Sequence, residues 1–592
     1  MSDADVQSRL TVTTKTGGSE YYDQVLAMSA HIVNNGWEQL WETYEDPQDE
    51  KITLKRIDIE NDDLGYIHAE TLPCRITFEG TNHSGLSVYY FIRFKSGTLQ
   101  NAKGTLPKGL DMTGWCICVN VKIGEQKKSE MTKEQIKYIE DNYSVPGDYS
   151  IARLFADLTS AYFDSLDADR STFGTGEDGK PITYDQWLDQ YDEDYSTSFY
   201  AFMSTWKRTM KSKGYSTLGV KVVIPSMQEQ DPLDPTYPPT AMLHQGFQYK
   251  NDQTDKTTAA DYNCLLYCEQ LMNRDLPQQS FIADGGNWCY PEYQSNPAVQ
   301  GTFAISSQIF FERVNGLREH MRPLAALSEI SLQDVTIFDW GGRQHLFDVG
   351  HNPAHEDPND NYFLAKKDDQ NHRYIWTRTW TKNKGTMEDI YYYCTHTSVQ
   401  SVTIGWEPGS SRINVAGKTT YSYESSDWTN ATMTERQAIL SESYTASWEA
   451  PILMSTDDEG RLTLKLEKEP QDTKVSMVQD YSTEDPPGAW SRQNTPDGYE
   501  HDIETALQSA LVTVEANLAL IFQTTGQWVY PGNGVLYYRN PMFNNTGDVL
   551  AVAEYKSLTS KAEVPGPHPG ATLSKYPKTK PNVKVLSSKR DE

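Results

Sequence analysis

Apolar residues recur at helical spacing in six segments of the chain. In residues 21–44 they lie three and four positions apart and include Leu26, Val33 and Leu40. This periodicity predicts an amphipathic helix of about six turns. The same spacing predicts further helices at residues 149–164, 199–211, 259–272, 306–327 and 502–522.

Between these helices, apolar and polar residues alternate. Four such runs lie between residues 51 and 126, separated by Gly, Asn and Asp, and they predict four half-buried antiparallel strands joined by short turns. Residues 329–480 form a second strand-rich region, in which ILSESYTASWEAPILMS and GRLTLKLEKE alternate most clearly. Shorter strands are predicted at residues 218–225, 527–530, 535–539 and 549–555.

The order of these elements predicts an α+β protein with two units, each of which pairs long amphipathic helices with a large antiparallel sheet. Residues 227–240 carry four prolines, which exclude a helix and favour a crossover between the units. A Pro- and Lys-rich end predicts a mobile tail. The predicted domains are an N-terminal module (1–226), a Pro-rich crossover and helical connector (227–300), a C-terminal module (301–560) and the tail (561–592).

The amino-acid composition disfavours several classes of function and indicates a cellular location. The 592 residues include 53 Lys and Arg against 82 Asp and Glu, a net charge of −29, which disfavours binding to nucleic acid or to an anionic membrane surface. No apolar run is long enough for a transmembrane helix, and no secretory signal is visible. The 7 cysteines are an odd number, which favours a reducing compartment. A cytoplasmic location is expected, and secretion without a signal peptide is left open.

Three segments contain residue types used in nucleotide or metal binding, but each departs from the required pattern. The Gly-rich segment 174–181 ends in Pro181, where a phosphate loop needs Ser or Thr. The acidic segment 167–178 has Thr172 where a calcium loop needs Gly. Two prolines interrupt the third set, which therefore cannot form one helix face as zinc ligands: His351, His355 and Glu356.

The cysteine pairs do not indicate a metal site, and the pairs of carboxylic acids do not indicate a catalytic site. Cys264 and Cys268 lie on a predicted apolar helix face, where buried structural thiols are expected. Cys116 and Cys118 lack a second ligand pair nearby. A glycosidase needs two positioned carboxylic acids, and no pair stands out among the many present. No catalytic residue, metal site or cofactor is predicted, and a carbohydrate enzyme is the least favoured function.

Five segments spread over nearly the whole chain carry a family resemblance: 21–41, 234–250, 262–277, 301–321 and 528–555. In this order they resemble the OrfX-type proteins encoded beside clostridial botulinum-type neurotoxins and their fungal relatives, which belong to the TULIP (tubular lipid-binding) superfamily. The resemblance implies two TULIP-like modules, each with a long helix wrapped by a strongly twisted antiparallel sheet, and binding of a lipid or other apolar ligand. It brings no catalytic residues.

The leading hypothesis is non-enzymatic binding of a lipid or other apolar ligand between helix and sheet. Apolar helix faces supply the predicted lining of two sites, Leu26, Val33 and Leu40 in the first and Val314, Leu317 and Met321 in the second. The alternative is that these helices are ordinary core. The chain would then be a protein-interaction or scaffold subunit, as a homo-oligomer or as a component of a toxin-accessory or insecticidal complex.

Overall fold

The structure is a computed structural model. It describes residues 22–78, 87–104, 106, 108–142, 150–158, 166–191, 193–223, 239–250, 260–271, 274–277, 282, 287–292, 297–312, 317–321, 323–324, 327, 335–338, 344–347, 366–368, 371–386, 391–428, 436–457, 462–484, 491–492, 499–518, 528–529 and 535–556.

The described residues form a mixed helix and sheet structure that is mostly strand and includes a sheet curled into a half-barrel. Its α-helices are α1 (Ala30–Thr43), α2 (Lys133–Asn142), α3 (Tyr184–Gln190), α4 (Glu193–Lys213), α5 (Leu317–His320) and α6 (Tyr499–Leu518). Short 3₁₀ turns lie at Lys128–Glu130 and Pro470–Asp472, and a π-helical turn lies at Gln308–Glu312.

The strands of the first half are β1 (Gln24–Ser29), β2 (Arg56–Asn61), β3 (Gly65–Thr77), β4 (Ser87–Asn101), β5 (Leu110–Asp111), β6 (Trp115–Lys127), β7 (Ser150–Asp157), β8 (Thr172–Phe173), β9 (Thr217–Val223), β10 (Pro239–Phe247) and β11 (Cys264–Leu271). The strands of the second half are β12 (Gly301–Ile305), β13 (Val335–Phe338), β14 (Gln344–Phe347), β15 (Lys366–Asp368), β16 (Arg373–Thr386), β17 (Tyr391–Trp406), β18 (Arg412–Trp428), β19 (Arg436–Glu449), β20 (Ile452–Thr456), β21 (Leu462–Leu466), β22 (Val475–Glu484), β23 (Ser491–Arg492), β24 (Trp528–Val529), β25 (Val535–Phe543) and β26 (Val549–Lys556).

A nine-stranded antiparallel sheet occupies the N-terminal part, in the order β2-β3-β4-β6-β7-β9-β24, with β5 on β4 and β8 on β6. Strand β4 alternates buried and half-buried residues along most of its length, as a sheet with one covered face requires. Helix α1 is fixed to this sheet by Asn34, whose side-chain amide donates to Ile76 O at 3.0 Å and accepts from Ile76 N at 2.8 Å. Trp37 Nε1 donates to Thr217 O at 2.9 Å, so α1 is also attached near β9.

A six-stranded antiparallel sheet joins the two halves of the chain, in the order β10-β11-β1-β12-β26-β25. Every residue of β1, β11 and β12 is buried. The carboxylate of Asp23 accepts from Leu271 N at 2.9 Å and pairs with Arg274, which fixes the end of β11 to the start of β1. The predicted module boundaries remain a proposal, and this sheet contains strands from both sides of them.

An eight-stranded sheet occupies the C-terminal part, in the order β15-β16-β17-β18-β19-β22, with β20 and β21 attached beside β18. Helix α6 packs against β21 and β22. Its buried residues recur every three or four positions, as one apolar face predicts: Ile503, Leu507, Leu511, Val514 and Leu518. A smaller sheet contains β14, β13 and β23.

Many predicted elements are confirmed. The four strands predicted between residues 51 and 126 correspond to β2, β3, β4 and β6, and the two helices predicted at 199–211 and 502–522 correspond to α4 and α6. The predicted short strands near 218–225 and after residue 526 are β9, β24, β25 and β26. The strand-rich interpretation of residues 329–480 holds for all parts of it that are described.

Two predicted helices are wrong, and a third, at 21–44, is confirmed only from Ala30 to Thr43. Residues 24–29 of the predicted helix 21–44 form β1, and α1 begins at Ala30 with Ser29 as its N-cap. The predicted helix 149–164 contains β7, and the predicted helix 259–272 contains β11, which places Cys264 and Cys268 on a strand. Strands β1 and β11 are buried on both faces. Such strands are continuous apolar runs, and such runs also satisfy helical spacing.

The predicted helix 306–327 is not continuous in the described residues, where it comprises the π-helical turn at Gln308–Glu312 and the single turn of α5. Most of the Pro-rich segment 227–240, the segment 350–360 and the tail 561–592 lie outside the described residues. None of the described helices is both long and apolar enough to span a membrane.

Candidate ligand-binding site

The first predicted lining set lies in the main apolar core. Leu26 is on β1, whereas Val33 and Leu40 are on α1, so the three residues do not share one helix face. They are 1%, 2% and 4% exposed, respectively, and belong to one cluster of buried side chains that extends through all three large sheets. Their role as lining residues remains a prediction.

The second predicted lining set lies near the eight-stranded sheet. Leu317 and Met321 are fully buried, and Val314 lies outside the described residues. Leu317 begins α5, which packs against the π-helical turn at Gln308–Glu312 and against α6. Leu324 N donates to Met321 O at 3.0 Å, and Leu324 O accepts from Gln400 Nε2 at 2.8 Å, so Leu324 contacts the middle of β17. We call the described residues between 317 and 324 the covering segment.

The buried face of this sheet is apolar near the edge of the covering segment. Cross-strand register aligns one row of residues over five strands: Trp376, Val402, Gly417, Trp448 and Val475. A Cβ on Gly417 would lie 2.0 Å from a ring carbon of Trp448, so the indole lies directly across the glycine. Beyond this row, Phe311 packs against Tyr374 and Trp406, with ring centroids 5.0 and 5.3 Å apart.

The next two rows of the same buried face are mostly polar. Gln400 and Thr419 are direct cross-strand partners, and Ser398, Tyr421 and Tyr444 form the row beside them. All five are no more than 1% exposed. On β17 and β18 the buried face thus changes from Val402 and Gly417 to the amide of Gln400 and the hydroxyl of Thr419 within two residues. On β19 and β22 the same row remains apolar, with Ala446 and Met477.

Two polar atoms in these rows lack partners. Gln400 donates its amide N–H to Leu324 O, but its Oε1 has no hydrogen-bond partner among the described residues. The same holds for Thr419 Oγ1 within that part of the chain. A buried oxygen without a partner costs about 1–3 kcal/mol, and buried polar groups are paired in nearly all native proteins. These two atoms therefore mark a place where a bound polar group, either a water molecule or a group of a ligand, would be stabilised.

Sequence reasoning missed Gln400 and Thr419. A signal was present, because Gln400 shares the alternating register of Val402, Ile404 and Trp406, all of which are buried. A polar residue in the buried register of an alternating strand predicts a buried polar group.

A second cluster lies on the β2–β3 hairpin. His68 is the cross-strand partner of Asp58; its Nδ1 lies 2.6 Å from Asp58 Oδ1 and its Nε2 lies 3.5 Å from Glu60 Oε1. The imidazole thus lies between two carboxylates, one on each ring nitrogen, and all three side chains are at least 36% exposed. A polar surface cluster accounts for this geometry.

Comparisons with known proteins do not identify a family for this chain. No family model matches the chain, and no curated protein matches it. Among solved structures, the chain is similar to a lipopolysaccharide binding protein with a TM-score of 0.31 and 11% sequence identity, over 91% of this chain and 100% of that one. A similarity at this level carries no argument about fold or function. Membership of the OrfX-type proteins and of the TULIP superfamily therefore stays a prediction.

Proposed function

We propose that this protein is a non-enzymatic binding protein for a lipid or other apolar ligand with one polar group. The ligand lies between the covering segment and the buried face of the eight-stranded sheet, which includes the second predicted site. The observation that carries the proposal is the pair of buried, unpartnered atoms Gln400 Oε1 and Thr419 Oγ1 beside an apolar row of the same face.

The apolar row at Val402 and the neighbouring row at Gln400 and Thr419 indicate which groups the ligand carries. An acyl chain or ring against Trp376, Val402 and Trp448 gains about 25 cal/mol for each Å² of apolar surface removed from water. Gln400 Oε1 accepts a hydrogen bond, and the hydroxyl of Thr419 donates or accepts one. A ligand hydroxyl, amide or protonated acid placed at this boundary satisfies both atoms. Few polar groups in an apolar site are typical of small-molecule pockets.

The sequence resemblance to TULIP proteins agrees with this proposal but does not carry it, since a fold does not fix a function. The first predicted site, at Val33 and Leu40, is proposed as a second apolar slot. Gln39 Oε1 and Trp41 Nε1, on either side of Leu40 in the sequence, are buried and have no hydrogen-bond partner among the described residues. A ligand in this slot would be held mainly by apolar contact with Val33 and Leu40.

The test is uptake of a fluorescent polyene fatty acid by protein from which bound lipid has been extracted. We expect saturable binding, displaced by unlabelled lipid, that is abolished in Leu317→Trp and weakened in Gln400→Leu. Ile139→Trp is the matched control, because Ile139 is equally buried but lies on α2, far from this face in the chain. Circular dichroism checks that each variant is folded.

Uptake that is unchanged in both Leu317→Trp and Gln400→Leu would show that the site is wrong. Absence of uptake by the wild-type protein would favour the alternative, a protein-interaction subunit whose helices are plain core. Light scattering would then measure its oligomeric state.

A further inference from the structure

A cleft of about 600 Å³ lies in the N-terminal part of the protein, beside the end of α1 that carries the predicted lining residue Leu40. It is formed by the end of α1 and the loop that follows, by α2, and by the end of α4. Nothing in the proposed lipid site accounts for it.

Three tyrosines form part of its wall: Tyr44, Tyr138 and Tyr215. The rings of Tyr44 and Tyr215 are 5.9 Å apart at an interplanar angle of 79°, and those of Tyr138 and Tyr215 are 5.1 Å apart at 70°. The rings are therefore in edge-to-face contact with one another and together form one aromatic wall of the cleft.

Hydrogen bonds hold two of these rings in place. The hydroxyl oxygens of Tyr44 and Tyr215 are 2.8 Å apart, and the Tyr215 hydroxyl donates to Glu50 Oε2 at 3.3 Å. Burial raises the pKa of Tyr44 and of Tyr215, so both phenols stay neutral. Because these hydroxyl groups are engaged with each other and with Glu50, Tyr44 and Tyr215 offer the cleft ring surface rather than oxygen ligands.

The charged residues of the cleft favour a cation. Four carboxylates line it, at Glu45, Glu50, Glu134 and Asp141, against the ammonium groups of Lys137 and Lys213. Lys213 Nζ is 2.8 Å from Glu50 Oε1, and Lys137 pairs with Asp141. Two carboxylates, those of Glu45 and Glu134, remain as net negative charge.

We propose that this cleft binds an alkylated ammonium group, such as the trimethylammonium of choline. Such a group is a compact cation without N–H donors, and the faces of aromatic rings attract it electrostatically. The carboxylates of Glu45 and Glu134 add a favourable potential at the rim. This site rests on no part of the proposed lipid site, and the source of the ammonium group is either a free small molecule or a lipid head group.

The experiment is calorimetric titration of the full chain with choline and with tetramethylammonium. The control ligand is 3,3-dimethylbutan-1-ol, which has the shape of choline without its charge. We expect both cations to bind and the neutral alcohol not to bind. Tyr44→Leu is expected to weaken choline binding by about tenfold, whereas Tyr44→Phe, which keeps the ring, changes it by less than about threefold.

Two further variants separate this effect from loss of folding. Glu134→Gln changes an exposed side chain and should weaken binding by about twofold to threefold at low salt. Tyr66→Leu, a matched half-buried tyrosine whose ring contacts His68 instead, should leave choline binding unchanged. Absence of cation binding, equal binding of the neutral alcohol, or full binding by Tyr44→Leu would each overturn the proposal.

Vesicle sedimentation identifies the source. Binding to phosphatidylcholine vesicles but not to phosphatidylglycerol vesicles, lost in Tyr44→Leu, supports a lipid head group. Binding of free choline without vesicle binding supports a small-molecule ligand. Because Tyr44→Leu leaves the C-terminal sheet untouched, fatty-acid uptake in the same variant separates failure of this proposal from failure of the lipid site.

Discussion

Replacement of Thr419 by valine tests the unpartnered hydroxyl on the buried face of the eight-stranded sheet. Valine has nearly the same shape as threonine and replaces the hydroxyl with a methyl group. Thr419 is fully buried, and its Oγ1 has no partner among the described residues. Most substitutions in a protein core destabilise it. For Thr419→Val we expect the opposite, a rise in the free energy of unfolding of the lipid-free protein.

The magnitude follows from the cost of an unpaired buried hydroxyl, which is about 1–3 kcal/mol. Removing it should raise the free energy of unfolding of lipid-free protein by about 1 kcal/mol, the lower end of this range, because the unpaired hydroxyl is gone and a methyl group is buried in its place. For a unit of 150–250 residues this corresponds to a rise in melting temperature of about 2–4 °C. In lipid-loaded protein the gain should vanish, because the ligand already satisfies the hydroxyl.

The assay is calorimetric or urea unfolding of Thr419→Val and wild type, each with lipid extracted and each reloaded. Thr420→Val is the matched control on the next residue of β18. Thr420 Oγ1 lies 3.1 Å from Thr445 Oγ1 on the other face of the sheet, so its loss should be neutral or slightly destabilising. If Thr419→Val destabilises the lipid-free protein by about 1 kcal/mol or more, the hydroxyl has a partner within the protein and the reasoning fails.

Three other predictions test the packing and electrostatics. Gly417→Ala places a methyl group 2.0 Å from the Trp448 ring and should destabilise the protein by about 2 kcal/mol in urea unfolding, whereas an effect under about 0.5 kcal/mol would contradict the packing. Asn34→Ala removes both hydrogen bonds to Ile76 and should cost about 2–3 kcal/mol in the same assay; a neutral result would mean that α1 is not fixed there. Burial raises the pKa of Cys74 to about 11, so the folded protein binds this proton more tightly than the unfolded chain does. The protonated thiol therefore contributes to the free energy of unfolding at neutral pH. This contribution is lost as the pH rises from the ordinary thiol pKa of about 8.5 towards 11. Iodoacetamide labelling of Cys74 in native protein should reach half its maximal rate near the upper value, and a midpoint below pH 9 would contradict this.

The alternating strands were predictable because one of their faces is half-exposed. In β4, the buried residues Val88, Tyr90, Ile92 and Phe94 alternate with half-buried ones, and this pattern is visible in the sequence. Helix α6 was predictable for the same reason, since one stripe of its surface is buried and the remainder is polar. In both elements the difference between a buried apolar face and a more exposed face produces the periodicity that can be read from the sequence.

The central strands were not predictable from periodicity. All eight residues of β11 are buried, so the contrast between its faces is lost, and its apolar run satisfies a helical pattern equally well. The partners of β1 are also remote in sequence, since Gln24 pairs with Glu269 on one side and with Ile305 on the other. No local pattern encodes a pairing over such distances.

The candidate site was predictable only in part. The buried position of Leu317 and Met321 agrees with their apolar character, but the polar atoms that define the site belong to β17 and β18. Gln400 and Thr419 become significant only when the register pairs them and Leu324 O engages the amide of Gln400. The cleft with Tyr44 and Tyr215 likewise depends on two residues that are far apart in the sequence and meet only in the fold.

The most direct test of ligand binding is native mass spectrometry of the purified protein, combined with organic extraction and identification of what is released. We expect a stoichiometric apolar adduct that is lost on denaturation and carries at least one hydrogen-bonding group. In Leu317→Trp we expect less of this adduct. A protein of the mass given by its sequence alone, unchanged after incubation with lipid mixtures, would contradict it.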